Sequence, residues 1–235
     1  MTPLTYALLS AMANIVGALA VAGRGRRSLR VLEALIAVAA GFMISVALTQ
    51  LVPEAIARGG SSAPVMMLAG YLAVHLTQHT LARHFHFGEE THHVTTAISV
   101  SALVGLLMHT FVDGVAIASG FGVSRELGVL VFLAVVLHKL PEGLAIASLF
   151  LAAGHRPRAA VGAAGALGLT TLVGVAVTDF VAPLATHGLA LAAGVTLYVA
   201  ASNLVPEFQA KPGWRLAAFF FGGCALFAVA SRVLH

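Results

Sequence analysis

Two stretches decide the fold: residues 107–119 read Leu-Met-His-Thr-Phe-Val-Asp-Gly-Val-Ala-Ile-Ala-Ser, and residues 136–148 read Val-Leu-His-Lys-Leu-Pro-Glu-Gly-Leu-Ala-Ile-Ala-Ser. Each copy places a carboxylate four residues after a histidine, in the pairs His109 with Asp113 and His138 with Glu142. Since residues i and i+4 lie on one face of an α-helix, each pair can point at a single cation. Two facing pairs supply four nitrogen and oxygen ligands, the usual complement for zinc. The sequence therefore predicts a metal site between two apolar helices.

The alternative is that each histidine and its acid form an ordinary buried polar pair. The charges of Asp113, Glu142 and Lys139 argue against it, because all three lie in stretches apolar enough to span a bilayer. A charge in the middle of a membrane helix costs roughly 2.5–3.5 kcal/mol on insertion scales. A bound divalent cation would neutralise both carboxylates, which gives a reason for placing them there.

The composition predicts an all-α polytopic membrane protein. Hydrophobic residues make up 59% of the 235 residues, charged residues 9%, and the mean hydropathy is +0.96. A soluble domain has a much more polar composition. The net charge of +4 comes from short basic clusters between apolar runs, so it is typical of membrane topology signals rather than of a nucleic-acid interface. We expect a single transmembrane transport domain over residues 1–235.

About 20 apolar residues per span leave room for about eight transmembrane helices. They are expected at about 4–23, 31–57, 64–83, 95–121, 127–153, 159–183, 188–207 and 213–233. A histidine-containing loop at about 84–94 follows the third. Most Lys and Arg residues fall in the odd-numbered loops, which the positive-inside rule places in the cytosol. We therefore expect an integral protein of the cell (inner) membrane, with its cytosolic loop at 84–94 and both termini outside the cytosol.

A second internal repeat predicts how the helices are related. Thr-Gln-Leu-Val-Pro-Glu at 49–54 closes the second helix, and Ser-Asn-Leu-Val-Pro-Glu at 202–207 closes the seventh. These helices run in opposite directions, so helices 1–3 and 6–8 would form an inverted repeat around helices 4 and 5, as in many transporters. Chance similarity is the alternative. Gln50 and Asn203, equivalent in this repeat, either line the transport route or cap backbone that the following prolines loosen.

Three further features carry expectations. Small residues let membrane helices approach closely, so Gly114 and Gly143 are expected to bring the fourth and fifth helices together. His75 and His79 form another i,i+4 pair near the end of the third helix, where they could receive departing metal. Incidental histidines are the alternative there. The one cysteine, Cys224, is interpreted as a small packing residue.

In these two motifs the chain resembles the ZIP (zinc and iron permease) family of metal transporters. Residues 109–114, His-Thr-Phe-Val-Asp-Gly, resemble the His-Asn-x-x-(Asp/Glu)-Gly signature of the family's fourth helix. Residues 138–143, His-Lys-Leu-Pro-Glu-Gly, resemble the His-x-x-Pro-Glu-Gly signature of its fifth. The resemblance implies a metal site between these helices, a homodimer and the ligands His109, Asp113, His138 and Glu142.

The chain also departs from the family, many of whose members hold a second metal beside the first. The side chains used for that second metal are an Asn, an acid beside the fifth-helix ligand, and an acid in the sixth helix. Here the corresponding residues are Thr110, Lys139 and, in the middle of the sixth helix, Thr170 and Thr171. The departures imply a mononuclear site, in which the Lys139 ammonium supplies the charge of a second cation. The alternative is that Lys139 points away.

These observations predict a transporter, and not an enzyme, that moves a divalent transition metal toward the cytosol. Zinc is the first candidate, and Fe²⁺, Mn²⁺ or Cd²⁺ would also accept mixed nitrogen and oxygen ligands. The metal is cargo, no resident cofactor is expected, and the expected partners are the lipid bilayer and a second copy of the chain, with no nucleic acid. Metal affinity should fall at low pH, because the ligands must be deprotonated to bind.

Two alternatives from other classes remain. An intramembrane zinc hydrolase needs an open coordination position and a base, whereas four candidate ligands leave no vacancy and no His-Glu-x-x-His is present in the sequence. A proton-relay or anion transporter without metal is the other alternative.

Overall fold

The computed structural model describes residues 1–22, 29–80, 95–209 and 211–234, with the backbone alone at 29, 79 and 80. These ranges contain the helices α1 (Pro3–Ala22), α2 (Leu29–Val46), α3 (Val52–Gly59), α4 (Ala63–Thr80), α5 (Thr96–Val123), α6 (Arg125–Ala152), α7 (Pro157–Thr178), α8 (Ala182–Tyr198), α9 (Pro206–Gln209) and α10 (Arg215–Leu234). The all-α prediction is confirmed for the described residues. The predicted histidine loop at 84–94 lies outside them.

Seven helical stretches of the described chain are long and apolar enough to cross a membrane. Six of them match single expected spans. The remaining stretch, Arg30–Gln78, has 49 residues and runs from α2 to α4. It contains a 3₁₀ turn at Gly60–Ser62, where Gly60 has a φ of +53°, a conformation that favours glycine.

The helix bounds differ most from expectation between α7 and α8. The sixth helix was expected to reach residue 183, but α7 ends at Thr178, and Asp179 forms its C-terminal cap. The seventh was expected to begin at residue 188, but α8 begins at Ala182 with proline in its first turn. Proline is favoured at the start of a helix, where its missing N–H is not needed, so Pro183 marks the start of α8 rather than the end of α7.

Two π-helical segments interrupt the outer helices, at Ala47–Leu51 and at Val199–Leu204. Each is followed by a Val-Pro dipeptide that begins the short helix α3 or leads into α9. The segments overlap the two matched stretches 49–54 and 202–207. A shared local sequence therefore has the same unusual backbone in both halves of the chain.

The centre of the bundle is formed by α5 and α6, with α1 packed on α6 and α7 packed on α5. Outside this group, α2 pairs with α10 and α4 pairs with α8. Leucine, valine and phenylalanine side chains on the outer faces of α1, α4 and α10 are exposed, as on surfaces that face lipid. The two helices that carry the repeated motif thus lie at the centre of the bundle, in contact with α1 and α7.

The expectation that Gly114 and Gly143 bring α5 and α6 together is wrong. A Cβ at Gly114 would collide with the main chain of α7 at Thr171, and one at Gly143 with the main chain of α1 at Asn14. Neighbouring residues of a helix point about 100° apart, so each glycine faces a third helix, although the carboxylate just before it reaches a histidine of the other motif helix. The glycines fix α7 on α5 and α1 on α6.

The outer pairs are joined in the same way. Gly41 of α2 and Gly223 of α10 each face the other helix's main chain, and Gly70 of α4 and Gly194 of α8 do likewise. Cys224, half-buried, donates its thiol hydrogen to the carbonyl oxygen of Gly41 at 3.4 Å. Its interpretation as a packing residue agrees with this position between α2 and α10.

Candidate metal centre

The two motif helices form a tight antiparallel hairpin. Ser124, in extended conformation, is the single residue between α5 and α6, and its hydroxyl accepts a hydrogen bond from the amide of Leu127 at 3.1 Å. His109 lies fifteen residues before Ser124 and His138 fourteen residues after it. At 1.5 Å of rise per residue, the two imidazoles reach nearly the same depth. The connection therefore sets the register of the two histidines.

Among the residues that the structure describes, one group of metal-capable side chains could share an ion: His109, Asp113, His138 and Glu142. Their ligand atoms all lie within 4.8 Å of one another. The four residues are 2%, 5%, 3% and 4% exposed, so they are enclosed by protein. The structure thus brings together the four ligands that the sequence predicts.

The contacts within the group are close to those of a zinc centre. His109 Nε2 lies 3.2 Å from Glu142 Oε2, and His138 Nε2 lies 3.3 Å from Asp113 Oδ2 and 3.8 Å from Glu142 Oε2. Four ligands about 2.0–2.1 Å from a tetrahedral zinc ion are roughly 3.3 Å apart. Only small movements separate this arrangement from a coordination shell.

The tautomer of His138 suits metal binding. Its Nδ1 lies 3.0 Å from the carbonyl oxygen of Ala134, which can only accept, so Nδ1 carries a hydrogen. A neutral imidazole would then turn the lone pair of Nε2 toward the carboxylate of Asp113. A cation between the two atoms removes this repulsion, and a hydrogen bond from Nδ1 is the usual means of orienting a ligating histidine.

Lys139 points into the group, so the alternative that it points away is wrong. Its side chain is fully buried, and Nζ lies 2.8 Å from Asp113 Oδ2 and 3.2 Å and 3.4 Å from the two oxygens of Glu142. The ammonium donates to the same carboxylates that face the histidines. With neutral histidines the five side chains carry one net negative charge, which a divalent ion converts to one net positive charge.

The sequence reasoning missed Asn14, which lies on α1 and is fully buried. Its Nδ2 lies 3.5 Å from Glu142 Oε1. The available signal was an amide among small residues in the first apolar run. The spacing that finds i,i+4 ligand pairs cannot connect Asn14 with Glu142, 128 positions away.

The other predicted residues lie outside the ligand group. Thr110 and Thr171 are buried, but their hydroxyls donate to carbonyl oxygens of their own helices, at Leu107 (3.0 Å) and Leu167 (3.3 Å). Threonine commonly makes this bond to the preceding turn. Neither hydroxyl is placed to replace the acid or the amide of a second metal site.

The remaining candidates lie on the outer helices. Gln50 and Asn203 are half-buried in the two π-helical segments. His75 is exposed on α4, with its ring 5.7 Å from that of Tyr198. The side chain of His79 lies outside the described part of the chain, so the proposed pairing of these histidines stays a prediction.

Comparison with known proteins agrees with the metal centre. The family model described as ZIP Zinc transporter matches residues 74–231. The chain is 27% identical to Zinc transporter ZIP9 of Micropogonias undulatus over 157 residues, which cover 61% of this chain and 50% of that protein. It is also 27% identical to Zinc transporter ZIP9-A of Xenopus laevis over 157 residues, with 61% and 52% covered. The chain thus spans about half the length of the curated relatives it matches.

Proposed function

The chain belongs to the ZIP zinc transporter family, and on that premise we propose that it carries a divalent transition metal, with zinc as the first candidate, toward the cytosol. The observation that carries the proposal is the buried group of His109, Asp113, His138 and Glu142 on two apolar helices. Charged groups within membrane helices characteristically mark ion pathways. Uptake of radioactive zinc into liposomes that contain the purified protein tests it.

The same group argues against the two alternatives. A hydrolase needs a coordination position for water and a base beside it, whereas here each acid faces a histidine and is contacted by Lys139. A proton relay is a chain of such groups along a pathway, whereas here two histidines and two acids converge within 4.8 Å of one another. Membership of a family of zinc transporters favours the same reading, which is a transporter and not an enzyme.

We propose eight transmembrane helices, with two of them inside the stretch Arg30–Gln78. A straight helix of 49 residues would be about 74 Å long, far beyond the hydrocarbon thickness of about 30 Å. The turn at Gly60–Ser62 divides it, since α2 packs on α10 whereas α4 packs on α8. Residues 1–235 then form one transport domain.

Helix packing supports the proposed inverted repeat. The repeat relates α1 to α7, α2 to α8, α4 to α10 and α5 to α6. Under this exchange, the contact of α1 with α6 becomes that of α7 with α5, and the contact of α2 with α10 becomes that of α8 with α4. The contact of α2 with α6 likewise becomes that of α8 with α5. The π-helical segments at 47–51 and 199–204 correspond under this exchange. A pseudo-twofold axis between α5 and α6 accounts for all of these relations.

The glycine contacts support it independently. Gly41 and Gly194 are 153 positions apart, and so are Gly70 and Gly223. The close contact between Gly41 and α10 therefore corresponds to that between Gly194 and α4, and the contact of Gly223 with α2 corresponds to that of Gly70 with α8. The same shift of 153 relates the matched stretches 49–54 and 202–207.

This topology makes a prediction about which side of the membrane each loop faces. In a Cys224→Ser background, a Ser61→Cys variant should react with a membrane-impermeant maleimide on intact cells. A Pro212→Cys variant should react after the cells are permeabilised, because its loop is cytosolic when both termini are outside. Both residues are exposed, so access through the protein does not limit labelling. Labelling of Pro212→Cys on intact cells would contradict the eight-helix orientation.

We also propose that the centre holds one ion, with Lys139 as a built-in second cation. The contacts from Nζ to Asp113 and to both oxygens of Glu142 support this, since they occupy carboxylate faces that a second metal would need. Thr110 and Thr171 add no ligand there because both hydroxyls bond to their own helices. The ammonium limits repulsion between the acids when the metal leaves.

A Lys139→Met variant tests this role. Zinc affinity should rise at least about 10-fold, because unit charges 4 Å apart at an effective dielectric of about 20 interact by about 4 kcal/mol. Zinc release, and with it the turnover of transport, should slow. Calorimetric titration measures the zinc affinity and the number of ions bound. The number held by the centre is the number that is no longer bound when His138→Ala is introduced. The Lys211→Met variant is the control, since Lys211 lies outside the centre and pairs with Glu33 at 2.7 Å. Unchanged affinity and turnover in Lys139→Met would refute the role.

The location in the cell (inner) membrane, the homodimer, and transport of Fe²⁺, Mn²⁺ or Cd²⁺ stay predictions. So does the role of Gln50 and Asn203 along the route.

A further inference from the structure

Asn14 has an unusual environment for an amide in a membrane helix. It lies on the inner face of α1, which is otherwise built of small residues: Ala7, Ser10, Ala11, Gly17 and Ala18 are also buried. Its main chain rests on Gly143, the residue after Glu142. Because a Cβ at Gly143 would collide with the Asn14 carbonyl, no space separates the two helices at this level. The amide is therefore fixed beside the metal centre by main-chain packing.

The amide makes one of the hydrogen bonds available to it. Nδ2 lies 3.5 Å from Glu142 Oε1, which is the outer limit for such a bond. The side chain is fully buried, and no described residue donates a hydrogen bond to Oδ1. A buried oxygen without a partner costs about 1–3 kcal/mol. Oδ1 of Asn14 therefore needs a hydrogen-bond donor or a cation as its partner.

A role in holding Glu142 in place does not explain why an asparagine lies at position 14. Glu142 already accepts from Lys139 through both carboxylate oxygens and lies 3.2 Å from Nε2 of His109. The contact from Asn14, at 3.5 Å, is longer than those from Lys139 and His109. Lys139 cannot satisfy Oδ1 in turn, because its buried ammonium is committed to Asp113 and Glu142.

We propose that the amide oxygen of Asn14 is a fifth ligand of the transported ion. The inference rests on the proposed function, since it requires a metal ion between the four side chains of the centre. Side-chain amide oxygens are ligands of divalent cations, and zinc expands from four to five ligands in proteins. The oxygen belongs to the same amide as Nδ2, whose contact with Glu142 Oε1 at 3.5 Å puts the amide group next to one of the proposed ligands. A neutral fifth ligand leaves the charge of the loaded centre unchanged.

This ligand would involve α1 in metal binding. The four motif residues lie on α5 and α6 and do not involve α1. The ion would join three helices, α1, α5 and α6, and α1 also packs along α7. Loading and release would then change how firmly α1 is held against the ligand hairpin. Asn14 is a specificity-determining residue in this sense, because a hard oxygen ligand and a five-coordinate shell favour ions less committed to tetrahedral geometry than zinc.

Cobalt provides the test, because tetrahedral Co²⁺ absorbs visible light several-fold more strongly than five-coordinate Co²⁺. The purified full-length protein, an Asn14→Leu variant and an Asn14→Asp variant are titrated with Co²⁺. Leucine has a branched side chain of similar shape, without polar atoms, and it leaves no room for a replacing water. We expect Asn14→Leu to bind Co²⁺ about 10-fold more weakly, with a several-fold stronger, tetrahedral spectrum.

Asn14→Asp separates a ligand from a hydrogen-bond donor. Aspartate keeps the oxygen but loses the N–H group, so as a ligand it should retain the five-coordinate spectrum and bind Co²⁺ more tightly than the wild type. If the N–H group were what mattered, the wild type and Asn14→Asp would both give the tetrahedral spectrum. The affinity of Asn14→Asp does not decide the question, because its added negative charge attracts the cation in either case. The control is Ser10→Ala, which removes a buried hydroxyl bonded to the Tyr6 carbonyl one turn away on the same helix face.

Each result decides between the proposals. A tetrahedral wild-type spectrum that Asn14→Leu leaves unchanged overturns the fifth ligand and leaves the four-residue centre intact, as does a tetrahedral spectrum of Asn14→Asp. Should Asn14→Leu fail to fold, the aspartate variant alone decides. A wild-type protein whose Co²⁺ binding is the same as that of a His138→Ala variant overturns the metal centre itself, and the fifth ligand with it.

Discussion

A Glu142→Gln variant should lose zinc uptake, with the initial rate at least about 100-fold below that of the wild type. Glu142 is the most connected residue of the centre, since His109, His138, Lys139 and Asn14 all contact its carboxylate. Glutamine has the same shape but removes the charge and offers a single, weaker ligand oxygen. It also leaves the Lys139 ammonium buried opposite one acid instead of two, so the net charge of the group without metal changes from −1 to zero. The attraction for a divalent cation falls accordingly.

Uptake of radioactive zinc by cells that express equal amounts of each protein measures this. His109→Ala, Asp113→Ala and His138→Ala should lose uptake as well, because each removes one of four ligands. Glu54→Gln is the matched control: Glu54 pairs with Arg58 at 2.6 Å, and the side chains are 36% and 53% exposed. An exposed ion pair contributes little, so this variant should take up zinc within about 2-fold of the wild type. Wild-type uptake by a folded Glu142→Gln protein would be incompatible with the proposed centre.

The second large effect is expected from single methyl groups at Gly114 and Gly143. An added Cβ at either position meets main-chain atoms of the neighbouring helix, at Thr171 or at Asn14, and main chain cannot rotate aside as a side chain can. Overpacking of this kind costs about 1–3 kcal/mol, more than the gain of about 1 kcal/mol from replacing glycine by alanine in a helix. Gly143→Ala should also weaken metal binding, since it moves Asn14 away from Glu142.

Unfolding of the purified variants in detergent, with and without zinc, measures both effects. Gly122→Ala is the matched control because Gly122 lies on the same helix as Gly114 and a Cβ there meets no described atom within 4 Å. It should be as stable as the wild type or slightly more stable. Equal stability of all three alanine variants would show that the close approaches at Gly114 and Gly143 are not required.

The proposed ligand group could be predicted from the sequence because each histidine and its acid are close together in the chain. A histidine and an acid four residues apart must share a helix face, and the repetition of the motif indicates that two such faces belong together. Lys139 could be recognised as unusual from its neighbours, but whether it pointed inward depended on packing. Asn14 could not be found in this way, since it joins the centre only because α1 packs on Gly143.

The errors have separate physical causes. Gly114 and Gly143 were expected to join α5 to α6, but a residue next to a ligand points about 100° away from it, toward a third helix. The start of α8 at Ala182 depended on Pro183 acting as a helix start within an apolar run. The two π-helical segments leave the hydrophobic pattern almost unchanged, and hydropathy alone does not reveal them.

The contacts at Gly114 and Gly143 bear on how the ligand hairpin can move. Where a Cβ would overlap main-chain atoms of the neighbouring helix, the two helices have no room to move separately. Small shear displacements, parallel to the helix axes, are a recognised mode of motion between packed helices. Because α1 and α7 are fixed on α6 and α5 by these contacts, the four helices would undergo such a displacement together, against the outer pairs α2 with α10 and α4 with α8.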